Sequence, residues 1–158
     1  MSLLLNSQAF EPNGPIPKKY SADGENISPP LSWSGVPAGT REFALIVDDP
    51  DAPMNEPFVH WLIYKIPPHV MGLDEGILNR PELHSPPGAM QGKNSKNRIG
   101  YDGPAPPKGH GTHHYHFRLY ALNEPIQLKS GVDKKTLLEA IQNNILTETE
   151  LVGLYQRS

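Results

Sequence analysis

A mainly β fold with its helix near the end is predicted by three observations. The segments Glu42–Asp48, Phe58–Ile66 and His113–Ala121 alternate with period two or run apolar at strand length, the pattern of half-buried and central strands. Proline and glycine together make up about a fifth of the 158 residues, against roughly 12% in an average protein, which fits many short, stiff loops. All eighteen prolines lie at or before Pro125. Helix should therefore concentrate in the proline-free last 33 residues.

Taken in order, residues 2–7 read as a short edge strand, and Asn13-Gly-Pro and Pro17 punctuate the chain after it. Asn26–Trp33 is extended, because each residue before a proline is pushed toward β or polyproline geometry. Val36-Pro-Ala-Gly39 is a turn. Glu42–Asp48 sets Phe43, Leu45 and Val47 against Ala44 and Ile46, and apolar residues on both faces predict a strand central to its sheet. In Phe58–Ile66, strict alternation puts Val59, Trp61 and Ile63 opposite Phe58, His60, Leu62 and Tyr64. Pro67-Pro68 stops that strand. Residues 72–99 then read as a long, polar, irregular loop, of the kind that is usually functional or mobile.

Gly103–Gly111 holds three prolines and three glycines, which rules out a regular helix or central strand. The strand behind it places His113, Tyr115, Phe117, Leu119 and Ala121 on one face and His114, His116, Arg118 and Tyr120 on the other. A rigid loop thus feeds a strand whose inward face opens with His113 and Tyr115 and continues as core. Polar groups at the head of an apolar face lie where core meets surface, and that is where a pocket would form. After Pro125, Asp133 is the N-cap of a helix with the stripe Leu137, Leu138, Ile141 and Ile145, closed by Leu146. Glu150–Arg157 reads equally as a last strand or a docking segment. No repeat or second change of composition divides the chain, so residues 1–158 form one domain.

Several function classes are excluded by what the sequence lacks. Without cysteine there is no disulfide, thiolate chemistry or Cys-based zinc site, which fits a reducing compartment. A formal net charge of −3 and the absence of any Lys/Arg run argue against nucleic acid as a partner. No apolar run approaches the ~18 residues of a membrane span, and the N-terminus has no basic region or apolar signal core. A soluble cytoplasmic protein without stable membrane insertion is expected. The serine-hydrolase elbow, phosphate loop and His-Glu-x-x-His metal motif are all missing.

Two clusters could carry chemistry. Four of the seven histidines fall within 110–116, but His113 points away from His114 and His116 on a strand, and His110 lies in the loop. A metal site is not expected. The acidic turn Asp48-Asp-Pro-Asp51 can be ordinary turn chemistry, since Asp side chains bond nearby backbone N–H groups. An Asp directly after a buried strand can also orient a histidine. His60, amid apolar residues, is by itself more often a satisfied core residue.

Asp49-Pro-Asp-Ala-Pro53, His60 in Val-His-Trp, Tyr101-x-Gly-Pro-x-Pro-Pro-x-Gly109 and His113-x-Tyr115 together resemble the phosphatidylethanolamine-binding protein family, also called Raf-kinase-inhibitor-like proteins. Pro87–Asn94 and the ending Leu151–Arg157 look like its compact bacterial and archaeal branch. The resemblance implies a β-sandwich with a large antiparallel sheet, a smaller sheet and a C-terminal helix. It also implies a shallow pocket for a phosphorylated or otherwise anionic ligand, formed here by Asp49, Asp51, Ala52, Pro53, His60, Pro106, Pro107, His113 and Tyr115, with Tyr155 closing it. His60 and His113 would donate to a phosphate oxygen, Asp49 and Asp51 would orient the imidazoles, and an X-Pro bond in the turn would be cis.

The family usually has Arg after the pocket histidine, where this chain has His114, so a partner surface built on that arginine is weakened. The resemblance further implies a regulatory role toward a kinase or protease, a homodimer, and no cofactor. The expected function is a non-catalytic binding module, with an acid–base enzyme acting on a phosphate ester through His113 with Asp49 or Asp51 as the alternative.

Overall fold

Two sheets share one core in the computed structural model, which describes residues 2–157. The elements in chain order are β1 (Leu4–Asn6), β2 (Gly14–Pro15), β3 (Leu31–Ser34), β4 (Glu42–Asp49), β5 (Phe58–Ile66), β6 (Gly72–Leu73), β7 (Met90–Gln91), β8 (His113–Leu122), α1 (Lys134–Ile141) and β9 (Ile145–Tyr155). The small sheet has the order β1-β3-β6 and the large one β2-β9-β8-β4-β5-β7. All pairings are antiparallel except the short β2–β9 contact. β4 is central, as its two apolar faces require, and all eight of its residues are buried.

The faces of β4 divide the core. Phe43, Leu45 and Val47 pack with Trp61, Ile63, Phe117 and Leu119 toward the small sheet, where Trp33 meets Phe43 with ring centroids 5.3 Å apart. Ala44 and Ile46 pack with Leu62, Tyr64, Tyr120 and Leu122 on the other side, beneath Leu137 and Ile141 of α1. Apolar burial on both sides of one sheet is the main source of stability in such a two-sided architecture.

The helix starts as its sequence predicts, with Asp133 Oδ1 accepting from the Thr136 N–H at 2.9 Å, but it ends at Ile141. Ile145 and Leu146 open β9 instead of finishing the helical stripe. Asn143 and Asn144 interrupt the helix, and β9 then pairs with β8 from Leu122↔Ile145 to His113↔Tyr155. Cross-strand pairs along its length, with β-branched Thr147 and Thr149 among them, outweigh one more helical turn. The same pairing settles Glu150–Tyr155 as strand.

Residues 72–99 are irregular but tied down. β6 pairs with β3 and β7 with β5. Buried Gln91 accepts from Trp61 Nε1 at 2.7 Å and donates to the carbonyls of Leu78 and Arg80. The one cis peptide bond among the described residues is Ser85–Pro86, in this segment and not in the acidic turn.

Candidate functional site

The site lies where β4, β5 and β8 leave the inner face of the large sheet. Alternation carries Asp49 to the same side as Phe43, Leu45 and Val47, and His113 and Tyr115 to the same side as Phe117. β5 needs a further device. Its pairing with β4 steps from Val47↔Trp61 to Asp48↔Val59, so β5 spends an extra residue there. This β-bulge at His60 turns Val59 toward the helix-side core and His60 toward the inner face. Strict alternation would have placed His60 with Leu62 and Tyr64, on the far side of the sheet from His113. The bulge corrects that expectation, and the His60 ring now meets Tyr115 edge-on at 5.1 Å and Phe58 at 4.8 Å.

Each polar group has a defined set of partners. Asp49 Oδ1 accepts from the Asp51 N–H at 2.8 Å, and Asp49 Oδ2 accepts from His113 Nδ1 at 2.6 Å. Because a carboxylate accepts, that contact places a proton on Nδ1 of His113. The other nitrogen of His113 lies 2.6 Å from Nδ1 of His110. His60 Nδ1 is 2.6 Å from the Asp102 carbonyl, which also can only accept, so the His60 N–H is already engaged. Burial pushes the His60 pKa down, which keeps the ring neutral at neutral pH and leaves Nε2 an acceptor. This differs from the expected role of His60 as a donor to phosphate. Burial also pushes the Tyr115 hydroxyl far above its ordinary value of 10.0, so it remains protonated. That hydroxyl is buried and has no hydrogen-bond partner among the described residues.

These groups surround a cavity of about 350 Å³ lined by Asp49, Ala52, Pro53, His60, Pro106, Pro107, His113 and Tyr115. Eight of the ten residues anticipated from the sequence therefore meet in one place. Asp51 and Tyr155 do not line it. Asp51 accepts from the backbone N–H and Nδ1 of His114 on the surface, at 2.8 and 2.7 Å. Tyr155 bonds to Ser21 and Asp23. The cavity also takes in Met54, Phe58, Lys96, Asp102 and Ala105.

Of these additions, Asp102 occupies the unspecified position between Tyr101 and Gly103, and Phe58 opens the strand that carries His60. Both lie beside residues singled out in the sequence without having been singled out themselves. Lys96, which pairs with Asp102 Oδ2 at 3.0 Å, carries no local signal. A larger cleft of about 520 Å³ lies between residues 93–95 and α1. It contains no buried polar atom left without a partner among the described residues. The smaller cavity is the one with unfinished hydrogen bonding.

Chemically, the cavity offers a neutral O–H donor in Tyr115, an imidazole fixed by a carboxylate in His113, an acceptor in His60 and a rim ammonium in Lys96. Prolines form much of its wall and bring no competing N–H. Among the described residues no group of three or more His, Asp or Glu side chains is arranged to hold a metal ion, and no helix is long and apolar enough to cross a membrane.

Comparison with known proteins identifies the family and the fold. Residues 6–156 match the family model described as phosphatidylethanolamine-binding protein. A UPF0098 protein of Methanothermobacter thermautotrophicus is 48% identical over 153 residues, covering 97% of this chain and 98% of the relative. Escherichia coli YbcL, described as a member of the mammalian PEBP family, superposes with a TM-score of 0.92 at 31% identity, covering both chains in full. Chlamydia trachomatis CT736 superposes with a TM-score of 0.89 at 40% identity over 99% of each chain. The chain belongs to the phosphatidylethanolamine-binding protein family, in its UPF0098/YbcL bacterial and archaeal branch.

Proposed function

We propose that the protein is a non-catalytic module that binds a small oxyanion of the phosphate class in the cavity between β4, β5 and β8. The buried Tyr115 hydroxyl without a partner carries this reading. Leaving such a group unsatisfied costs about 1–3 kcal/mol, which a ligand oxygen accepting from it would offset. His113, held by Asp49, supplies the second donor when its outer nitrogen is protonated, and the carboxylate behind it compensates the charge. Lys96 adds long-range attraction at the rim. A regulatory role toward a kinase or protease would act through this pocket, whose mouth is bordered by largely exposed loops at 50–57 and 107–112.

The test is a titration of inorganic phosphate and phosphoethanolamine into the wild type and His113→Ala, followed by NMR. Saturable shifts confined to His60, His113, Tyr115 and the two loops, lost in the variant, are expected. Shifts that persist unchanged in His113→Ala would refute the assignment.

The Asp49–His113 contact at 2.6 Å also favours a second reading, an acid–base enzyme for phosphate esters. No Ser, Thr or Cys lines the cavity, and this reading takes water as the nucleophile, with His113 as its base. Steady turnover of p-nitrophenyl phosphate that disappears in Asp49→Asn would establish that reading, and binding without turnover would exclude it.

A further inference from the structure

We propose that His110 is a displaceable internal occupant of the anion position. Its imidazole fills the one direction in which His113 can bond to a ligand, and a bound oxyanion must replace it. This rests on the oxyanion reading above and adds what fills the site before the ligand arrives.

An sp² ring nitrogen forms one hydrogen bond, in the plane of the ring. His113 has two such directions and both are taken. Nδ1 faces Asp49 Oδ2 at 2.6 Å, and Nε2 faces His110 Nδ1 at 2.6 Å. The His110 and His113 rings are inclined at 60° with centroids 4.8 Å apart, so they meet nitrogen to nitrogen and do not stack. Asp49 is buried at the end of a central strand and cannot yield. His110 can. No cavity-lining oxygen, that of Tyr115 included, competes with His110 for this nitrogen in the free protein.

The backbone around His110 suits a side chain that moves. Gly109 and Gly111 flank it with φ of 74° and 91°, in the left-handed region that favours glycine. A Cβ built at either glycine would meet nothing within 4 Å. His110 itself is exposed, whereas His113 is 1% exposed. The loop is anchored through its backbone, with the His110 N–H donating to the Pro107 carbonyl at 3.1 Å and the Gly109 N–H to the Arg157 carbonyl at 3.3 Å. Rotating the His110 side chain outward breaks neither bond and opens no packed core. The neutral His110–His113 contact needs one proton between the two nitrogens. A phosphate oxygen without a proton can only accept, so one that replaces His110 requires a proton on His113 Nε2. With Nδ1 already protonated toward Asp49, that proton is taken up from water or from dihydrogen phosphate, and His110 keeps its own as it swings out.

The role is that of a competitor, which gives it an unusual signature: removing a polar residue from the site should tighten binding. His110→Ala is expected to bind inorganic phosphate roughly 2- to 10-fold more tightly than the wild type, the range set by the net worth of one neutral hydrogen bond. Phosphate is titrated into wild type, His110→Ala and Tyr115→Phe, with imidazole ¹⁵N shifts read alongside backbone shifts. Without phosphate, the His113 Nε2 resonance should move in His110→Ala and remain in place in Tyr115→Phe.

Tighter binding in His110→Ala together with that nitrogen shift supports the proposal, as does a response found in the variant alone. Equal or weaker binding in His110→Ala overturns it while the oxyanion reading stands, and the weaker result would make His110 a contact to the ligand. No localised response in any of the three proteins refutes the oxyanion reading and the displaceable occupant with it.

Discussion

Asp48 and Asp49 are neighbours in sequence, identical in chemistry and both buried, yet they face opposite sides of β4. On the helix side, Asp48 Oδ1 accepts from Arg118 Nη1 at 2.6 Å and Oδ2 from Lys134 Nζ at 2.7 Å. Both partners are basic side chains, one on β8 and one on α1, so the carboxylate is matched on both oxygens and α1 is stapled to the sheet. On the inner side, Asp49 is satisfied by a backbone N–H and by the imidazole of His113, a group that can gain or lose a proton, that lines a cavity and whose other nitrogen meets His110. One carboxylate is spent on holding two layers together. The other leaves a donor whose far side is exchangeable. Burial and charge alone do not separate structure from function here; the identity of the counter-group does.

Breaking the structural member of the pair should have the larger effect on folding. Asp48→Ala leaves Arg118 and Lys134 without their shared partner. Loss of one member of a buried pair costs about 3–5 kcal/mol, and because both cations are partly exposed the lower end, about 3 kcal/mol, is expected. Urea unfolding measures it, and phosphate affinity should change less than about 2-fold. Asp49→Asn should reverse the order. Its stability loss should be smaller than that of Asp48→Ala, while phosphate binding weakens by about 10-fold or more, since a charge-assisted bond to His113 is replaced by a neutral one.

His60 sharpens the comparison through pH. Its folded-state pKa is depressed below the ordinary 6.5 by burial, so between the two values the unfolded chain binds more protons than the folded one. Its contribution to stability is complete above about 6.5 and is lost as pH falls below that value toward the folded-state pKa. His60→Gln should flatten the stability profile in that acidic window, as read by urea midpoints at successive pH values.

The smallest effect is expected at the surface. Burial works against it, but bonds from the His114 side chain and backbone hold the Asp51 carboxyl below its ordinary value. The pair is half exposed, so His114→Ala should cost no more than about 1 kcal/mol, with the Asp51 titration midpoint rising in NMR spectra.

Much of this was legible in the sequence, and the misses have physical causes. Alternation along His113–Ala121 placed His113 and Tyr115 at the head of an inward face. Asp49, read as a turn residue after the strand Glu42–Asp48, joins them because the pleat of that strand runs one residue further. The face of His60 was not legible. A bulge is a property of two strands in register and leaves no mark in either one alone. The helix end was misplaced because Ile145 continues a helical stripe and a strand equally well, and only pairing with Leu122 decides.

The docking of loops followed the same division. Gly103 sits where a Cβ would lie 2.2 Å from the Tyr20 carbonyl oxygen, a close approach that glycine permits and that no local pattern announces. Asp51 and Tyr155 were drawn away from the cavity by His114, Ser21 and Asp23, partners distant in sequence. Lys96 entered through its ion pair with Asp102 at 3.0 Å, within the irregular segment that leads to the cavity wall.

The most direct measurement is a crystal structure of the protein soaked with inorganic phosphate. An oxyanion with one oxygen within hydrogen-bond distance of the Tyr115 hydroxyl and another on Nε2 of His113, with Asp49 still behind that ring, is the predicted result. A phosphate bound elsewhere, or a cavity in which the Tyr115 hydroxyl still has no partner under saturating phosphate, would contradict the account.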